Sequence, residues 1–420
     1  MQDLINDGNS VVLVDHDIQV LRAADYLIEM GPGAGYNGGN IVALGNVDAI
    51  KNNRSSIIGR FLAGTEQTII RDSIPEVHIF DNGYINVKTD RLHTVQPIDV
   101  DIPCGRLIAV TGVSGSGKTT LVLEELIPAL EARISGRPLP ACIQTVTNKT
   151  IQKIHLIDAS PIGINVRSTV ATYSNILDDL RKIFASLPQS KEKGYKAADF
   201  SYNTGMLRCK TCDGTGQISM DMQFLPDVDM VCPECKGSRY DKSVEALKFH
   251  PGKKTNEHGV SLSEFMGLTV EQALKLFAGN KKIYEKLNLL NNLGLGYLTL
   301  GESTPALSGG EAQRLKLASE MDKPQNDALF VFDEPSIGLH PSDIRVLLMV
   351  FDRLVRNGAT VMVIEHDLDI IANADYVIDM GPGGGEYGGR IVAAGTPQQI
   401  MANPESITGK YLSFELSKRK

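Results

Sequence analysis

Arg106-Leu-Ile-Ala-Val-Thr111-Gly112-Val-Ser-Gly-Ser-Gly-Lys118-Thr119-Thr120 is the stretch on which the fold turns. Arg106–Thr111 is apolar and reads as a strand, and a helical pattern runs from Lys118 to about Ala132. Strand, glycine loop, helix is the setting that a phosphate-binding loop requires. Gly112, Gly115 and Gly117 let backbone N–H groups converge on phosphate oxygens without Cβ clashes, at a helix N-terminus that favours anions. Ser114, Ser116 and Thr120 belong to the same binding stretch. In this motif Lys118 reaches the β- and γ-phosphates and the Thr119 hydroxyl holds Mg²⁺. A glycine turn that binds nothing is the competing reading, and the completeness of the motif argues against it.

Further along lies Leu329-Phe-Val-Phe-Asp333-Glu334-Pro335. Ala328–Phe332 is a continuous apolar run, as expected for a strand covered on both faces. Asp333 at its end is placed to complete a Mg²⁺ shell, and Glu334 to position or activate a water. His366 follows another short apolar strand, Thr360–Ile364, and is expected to hydrogen-bond the γ-phosphate and that water. Between these elements, Leu307-Ser-Gly-Gly-Glu-Ala-Gln-Arg314 is a small-residue turn opening a helix. Ser308 and the N–H groups of Gly309 and Gly310 can meet an anion there, although the turn is equally a plausible N-cap.

A metal module interrupts this set. Cys209-x2-Cys212 and Cys232-x2-Cys235 can close a tetrahedral Cys₄ zinc site on two knuckles. Four unligated buried thiols are the bland alternative. Cys104 and Cys142 are singletons, a usage that suits a reducing compartment better than a disulfide framework. The 420-residue chain has room for two or three domains, and 42% apolar residues mark it as globular. No run approaches the roughly 18 apolar residues of a membrane span, and the N-terminus lacks a signal-peptide pattern. A cytoplasmic protein with no membrane partner is expected. The net charge of −8 repels phosphates overall, so any nucleic-acid contact must come from a local patch. Asp213, Asp221, Asp227, Asp229 and Glu234 outnumber Arg208, Lys210, Lys236 and Arg239 around the cysteines. Arg181, Lys182, Lys191, Lys193 and Lys196, just before them, are the better basic candidates, with ordinary solvated surface charge as the alternative.

The chain also repeats itself. Residues 8–50 align without gaps onto residues 358–400 at a constant offset of 350 (358 − 8), with about half the positions identical. His16/His366, Asp25/Asp375 and Gly31-Pro32-Gly33/Gly381-Pro382-Gly383 are among the matches. Ser10–Val14 and Tyr26–Met30 are therefore expected to be strands, like Thr360–Ile364 and Tyr376–Met380. The first copy has no phosphate loop, Leu-Ser-Gly-Gly or Asp-Glu strand before it. Met1 is expected to begin partway through a longer two-unit architecture.

Taken together, Gly112–Thr119, Leu307–Arg314, Leu329–Pro335 and His366 resemble an ATP-binding cassette (ABC) ATPase. The resemblance implies that Ser308, Gly309 and Gly310 act in trans, covering a nucleotide held by another cassette. Lys118 and Ser308 are 190 residues apart (308 − 118), roughly twice the spacing of a transporter cassette. The extra length carries the cysteines, Met222-Gln-Phe-Leu-Pro-Asp-Val228 and, beyond them, Gly294-Leu-Gly-Tyr297. In these features the chain resembles, from residue 8 to about 402, the C-terminal half of the UvrA family of excinuclease ABC proteins. That family supplies the damage-recognition ATPase of bacterial nucleotide excision repair. Cys209-x2-Cys-x-Gly-x-Gly216 also matches the zinc repeats of DnaJ-type co-chaperones, but Arg239 stands where the second glycine would be and no J-domain is present.

An α/β ABC-type ATPase core with a zinc insertion and a helical signature subdomain is therefore expected. The organisation reads as residues 1–60, tail of a first cassette; 61–75, linker; 76–198, ATP-binding core; 199–245, zinc module; 246–300, helical signature subdomain; and 301–420, signature motif and remainder of the core. The resemblance implies ATP, Mg²⁺ and Zn²⁺ as cofactors, and ATP hydrolysis, not nuclease activity, as the reaction. Its implied partners are damaged duplex DNA, an N-terminal UvrA half or a second copy of this chain, and a UvrB-type helicase through the missing half. Three stretches depart from the family. Ala159, in Asp158-Ala-Ser-Pro-Ile-Gly163, replaces a Gln that senses the γ-phosphate; Ile164–Tyr173 loses an Arg-Thr-Pro and an Asn-Pro element; Thr89–Val95 replaces Gly-Ala-Arg-Glu-Asn-Asn-Leu. These departures leave two other readings open: a UvrA-like drug-resistance ATPase, or a DNA-binding scaffold that binds ATP but hydrolyses it poorly.

Overall fold

The computed structural model describes residues 2–32, 38–66, 68, 71–163, 165–220, 228–250, 259–321 and 325–418. Gly33, Asp221, Asp227, Ile164 and residues 222–227 of the Met-Gln-Phe-Leu-Pro motif lie outside this set. The chain divides into two compact units, Met1–Leu156 with Gln325–Lys420, and Ile157–Pro324.

The strands are β1 (Leu27–Gly31), β2 (Asn40–Gly45), β3 (Tyr84–Thr89), β4 (Asp99–Pro103), β5 (Leu107–Gly112), β6 (Ile143–Thr147), β7 (Lys153–Ile157), β8 (Gln217–Met220), β9 (Val228–Val231), β10 (Ala328–Asp333), β11 (Thr360–Ile364), β12 (Tyr376–Gly381) and β13 (Arg390–Gly395). In the first unit a six-stranded sheet has the order β13-β12-β5-β11-β10-β7. β10, β11, β5 and β12 run parallel, and β13 pairs antiparallel with β12. β5, β11 and β12 are buried along their entire lengths, so their sequences are mainly apolar; the exceptions are Thr111, Thr360 and Asp379, whose carboxylate accepts the Ser406 and Thr408 hydroxyls. Ile108, Val110, Val331, Met362, Ile364 and Ile378 pack there with Leu121, Leu126 and Leu130 of the chain leaving the phosphate loop. That chain winds with π-type turns over Thr120–Leu126 before the α-helix Ile127–Ser135, capped by left-handed Gly136. A smaller antiparallel sheet, β4-β3-β6, shares the same core.

The repeat is structural as well as textual. β1 pairs β2 and β12 pairs β13 in the same register, Leu27↔Gly45 and Val377↔Gly395, with a bulge at the matching step. Asp17 and Asp367 cap the following helices with identical backbone angles. Glu29 accepts a bond from the Ser56 hydroxyl where Asp379 accepts one from Ser406. One expectation fails: Ser10–Val14 forms no strand. Its counterpart β11 lies between β10 and β5, and a strand exists only where a neighbour completes its ladder. Without such neighbours Val14 is 95% exposed, whereas Ile364 is fully buried.

In the second unit, short helices Leu262–Met266 and Val270–Leu276 start with capping boxes, Ser261/Glu264 and Thr269/Gln272. Phe184, Phe249, Phe265 and Phe277 pack ring against ring beneath them. β8 and β9 form an antiparallel pair between the two cysteine knuckles.

Candidate nucleotide and metal sites

The phosphate loop begins where β5 ends. Gly112 has φ 132°, and a Cβ there would lie 1.9 Å from the Met380 carbonyl oxygen, so no side chain fits. Gly117 is equally confined, with φ 96° and its Cβ position 2.7 Å from Val95 Cγ2. Lys118 is buried, and its ammonium donates to the Gly112 carbonyl at 3.1 Å and the Val113 carbonyl at 3.0 Å. Burial lowers its pKa, and the charges of Glu334, Asp379 and Asp333 act against that shift. Ser116 Oγ is buried without a hydrogen-bond partner. A cradle closed to a Cβ at Gly112 and Gly117, an orphaned hydroxyl and a lysine folded onto its own loop fit a polyphosphate. Ser114, Gly115 and Thr119 are exposed, and the Thr119 hydroxyl is not used as a helix cap. Thr120 is engaged differently: its hydroxyl donates to Glu124 at 3.3 Å, within the same turn.

Asp333 closes β10 opposite Ile364, the last residue of β11. Glu334 adopts φ 47°, and its N–H donates to the Ile364 carbonyl at 3.0 Å. That left-handed corner brings its carboxylate to 3.4 Å from His366 Nε2. Burial and the charge of Lys118 lower the His366 pKa, while Glu334 pulls it back up. The first unit thus gathers the phosphate loop, Asp333, Glu334 and His366 at the ends of three adjacent strands.

Sequence reasoning missed the organiser of this corner. Glu365 is buried and accepts four bonds: the Ser336 N–H at 2.8 Å, the Ser336 hydroxyl at 2.9 Å, the His366 N–H at 2.9 Å and the Asp367 N–H at 3.1 Å. Burial raises its pKa against those bonds. The signal was in the repeat, because Asp15 receives the His16 and Asp17 N–H groups in the same way.

The remaining site residues lie in the second unit. Ser308 starts the helix Gly309–Met321: its hydroxyl accepts the Glu311 N–H at 3.4 Å and its own N–H donates to Glu311 at 2.7 Å. Ser308, Gly309 and Gly310 therefore form a capped helix start. Ala159 abuts it, since a Cβ on Gly309 would meet Ala159 Cβ at 3.3 Å. Lys316 ties down the flanking turn through Asp158 Oδ1 at 2.5 Å and Ser160 Oγ at 2.8 Å.

Cys209, Cys212, Cys232 and Cys235 are all buried, and their sulfurs lie within 4.8 Å of one another. Cys209–Cys232 is 3.9 Å and Cys212–Cys235 is 3.6 Å. A tetrahedral site with Zn–S bonds of about 2.3 Å needs sulfurs about 3.8 Å apart, so the donor set fits zinc. Four protein sulfurs would leave no position for a reacting water, which makes the site structural. The Gly216 N–H donates to Cys212 Sγ at 3.3 Å, fixing one ligand from outside.

Comparison with known proteins places this geometry. UvrABC system protein A of Aquifex aeolicus (strain VF5) is 41% identical over 415 residues, covering 98% of this chain. The same protein from Clostridium perfringens (strain 13 / Type A) and from Bacillus subtilis (strain 168) is 42% identical, over 98% and 100% of the chain. This chain matches UvrA. It spans only 43–44% of those relatives' length, the extent of a half. The crystal structure of UvrA2 from Deinococcus radiodurans superposes with a TM-score of 0.86 at 37% identity, covering 98% of this chain and 48% of that one. No family model matches the chain. The UvrA match carries the expected architecture with it, an α/β ABC-type core bearing a four-cysteine insertion. No helix among the described residues is long and apolar enough to cross a membrane.

Proposed function

We propose that this chain is the C-terminal, zinc-bearing half of a UvrA-type ABC ATPase that recognises damaged DNA in the cytoplasm and gates that recognition by hydrolysing ATP. The Glu334–His366 pair beside the buried Lys118 is the observation that carries the reading. Gly112, Gly115, Ser116 and Gly117 hold the phosphates through backbone N–H groups and the Ser116 hydroxyl, while Lys118 leaves its loop carbonyls to neutralise them. Thr119 and Asp333 are the oxygen ligands for Mg²⁺. Bound ATP·Mg²⁺ supplies the phosphoanhydride bond that is cleaved to ADP and phosphate. Glu334 accepts a proton from the attacking water, and His366, whose neutral form burial and Lys118 favour, hydrogen-bonds the γ-phosphate and that water. Glu365 fixes the His366 backbone and the Ser336 turn that follows Glu334. The four cysteines bind zinc and brace the module at 199–245.

Ser308, Gly309 and Gly310 would serve the nucleotide of a partner cassette, and an N-terminal UvrA half is favoured over a second copy of this chain. UvrB-type helicase contacts belong to that half. Repair is favoured over the drug-resistance and scaffold readings, because the relatives matched across the chain are UvrA. Glu334→Gln should retain ATP binding and lower turnover by about 10²–10⁴-fold in the complex with the co-expressed upstream half. Unchanged turnover would remove Glu334 from its role. Light scattering with ATP decides the partner: a stable ATP-dependent dimer of this chain alone would count against the split arrangement.

A further inference from the structure

The turn Gly294-Leu-Gly-Tyr297 takes no part in the chemistry above, yet its backbone is tightly held. It leaves the helix Lys281–Leu290 through π-type turns over Asn291–Leu295. The Glu271 N–H then donates to the Gly296 carbonyl and the Val270 N–H to the Leu298 carbonyl, each at 2.9 Å. Both donors belong to the start of the helix Val270–Leu276. Leu295 and Leu298 are buried on either side of Gly296 and Tyr297. The half-buried Tyr297 therefore stands on a fixed backbone.

Its hydroxyl reaches the helix that opens at the Leu-Ser-Gly-Gly turn. It donates to Glu311 Oε1, while Glu311 Oε2 accepts the Ser308 N–H at 2.7 Å. One carboxylate thus joins Tyr297 to the turn, with both oxygens engaged. Burial pushes the Glu311 pKa up, but the bonds from Tyr297 and Ser308 and the charge of Arg314 bring it below its ordinary value. The carboxylate is held ionised, the form that accepts from both donors. Ser308 Oγ accepts the Glu311 N–H at 3.4 Å, which closes a capping box and leaves the hydroxyl proton to donate elsewhere. Ser308 and Gly309 are exposed.

We propose that Tyr297 is a positioning residue for the signature turn: through Glu311 it holds Ser308 and Gly309 in the geometry that receives the γ-phosphate of a nucleotide bound by another cassette. The proposal rests on the trans reading above and adds the group that sets the turn's shape. A carboxylate tethered at one end only is free to change rotamer, which would release the Ser308 N–H and bring negative charge toward an incoming phosphate. The phenol fixes one oxygen, so the other stays on the cap.

The first arm of the test uses the full zinc-loaded chain alone. Tyr297→Phe keeps the ring and removes only the hydroxyl, and Tyr284→Phe, on the helix Lys281–Leu290, is the control. Amide hydrogen exchange at Ser308 should quicken several-fold in Tyr297→Phe and stay at the wild-type rate in Tyr284→Phe. Unchanged exchange in Tyr297→Phe would overturn the clamp and leave the trans reading standing. The second arm measures ATP turnover in the complex with the co-expressed upstream half. Tyr297→Phe should lower kcat several-fold and leave KM for ATP nearly unchanged, because the turn closes on a nucleotide already held by the opposite phosphate loop. Adding Tyr297→Phe to Glu311→Ala should lower kcat no further, since the hydroxyl then has no carboxylate to hold. Wild-type kcat in Tyr297→Phe, a loss expressed through KM alone, or a further drop in the double variant would overturn the positioning role. A wild-type complex that hydrolyses no ATP would overturn it together with the trans reading.

Discussion

His366 is the residue whose protonation state matters most. Burial and the Lys118 ammonium disfavour its charged form, and Glu334 at 3.4 Å offsets them only in part. Its titration by NMR of the labelled imidazole should therefore have a midpoint below the ordinary value of 6.5, and Lys118→Met should move that midpoint upward. A midpoint at or above the ordinary value would remove the electrostatic account. Between the lowered folded pKa and the ordinary one the unfolded chain binds more protons, so His366 costs stability as pH falls through that window and nothing above it. Asp333, Glu334 and His366 were legible as strand-end residues, because a carboxylate after a buried apolar run has few other reasons to be there. Glu365 was not, since its task is to receive four donors from loops that no periodicity reveals. Thr120 shows the converse, a hydroxyl grouped with the phosphate site by its position and found bonded to Glu124.

Among the elements, the cysteine module combines its four-thiol cluster with a small core of Phe200, Tyr202, Leu207, Tyr240 and Val244. Ile218 is the partly buried hydrophobic residue packed against the four cysteines. Zinc bound as proposed would add folding energy to that core, on the order of 10 kcal/mol for a structural site. Cys232→Ser should lose zinc and expose the amides of the two cysteine knuckles and the β8–β9 pair to rapid hydrogen exchange, while the β5–β12 ladder stays protected. Full protection in a metal-free protein would contradict this. The Cys-x2-Cys spacing announced the site, but the β8–β9 pairing between the knuckles was invisible, as two four-residue strands carry too little pattern. Ser10–Val14 failed for the opposite reason: its composition suits a strand, and composition alone cannot provide the neighbour.

Across the whole molecule, two copies of one motif sit in opposite environments. Ile28 is 62% exposed where its counterpart Ile378 is fully buried between β5 and β13. Ile378→Lys should cost more than about 4 kcal/mol in thermal or chemical unfolding of this chain, because it places an unpaired charge in the core. Ile28→Lys should change stability by no more than about 0.5 kcal/mol. Equal effects would mean that the first copy is covered in solution.

The sheet's connectivity also sets a timetable. Leu107 of β5 waits for Val361 of β11, 254 residues later (361 − 107), and β12 arrives later still. At translation speeds of about 5–20 residues per second, that interval is on the order of ten to fifty seconds. The phosphate-loop strand thus leaves the ribosome long before its flanking partners are made. Its apolar sides therefore stay without their final neighbours through that delay.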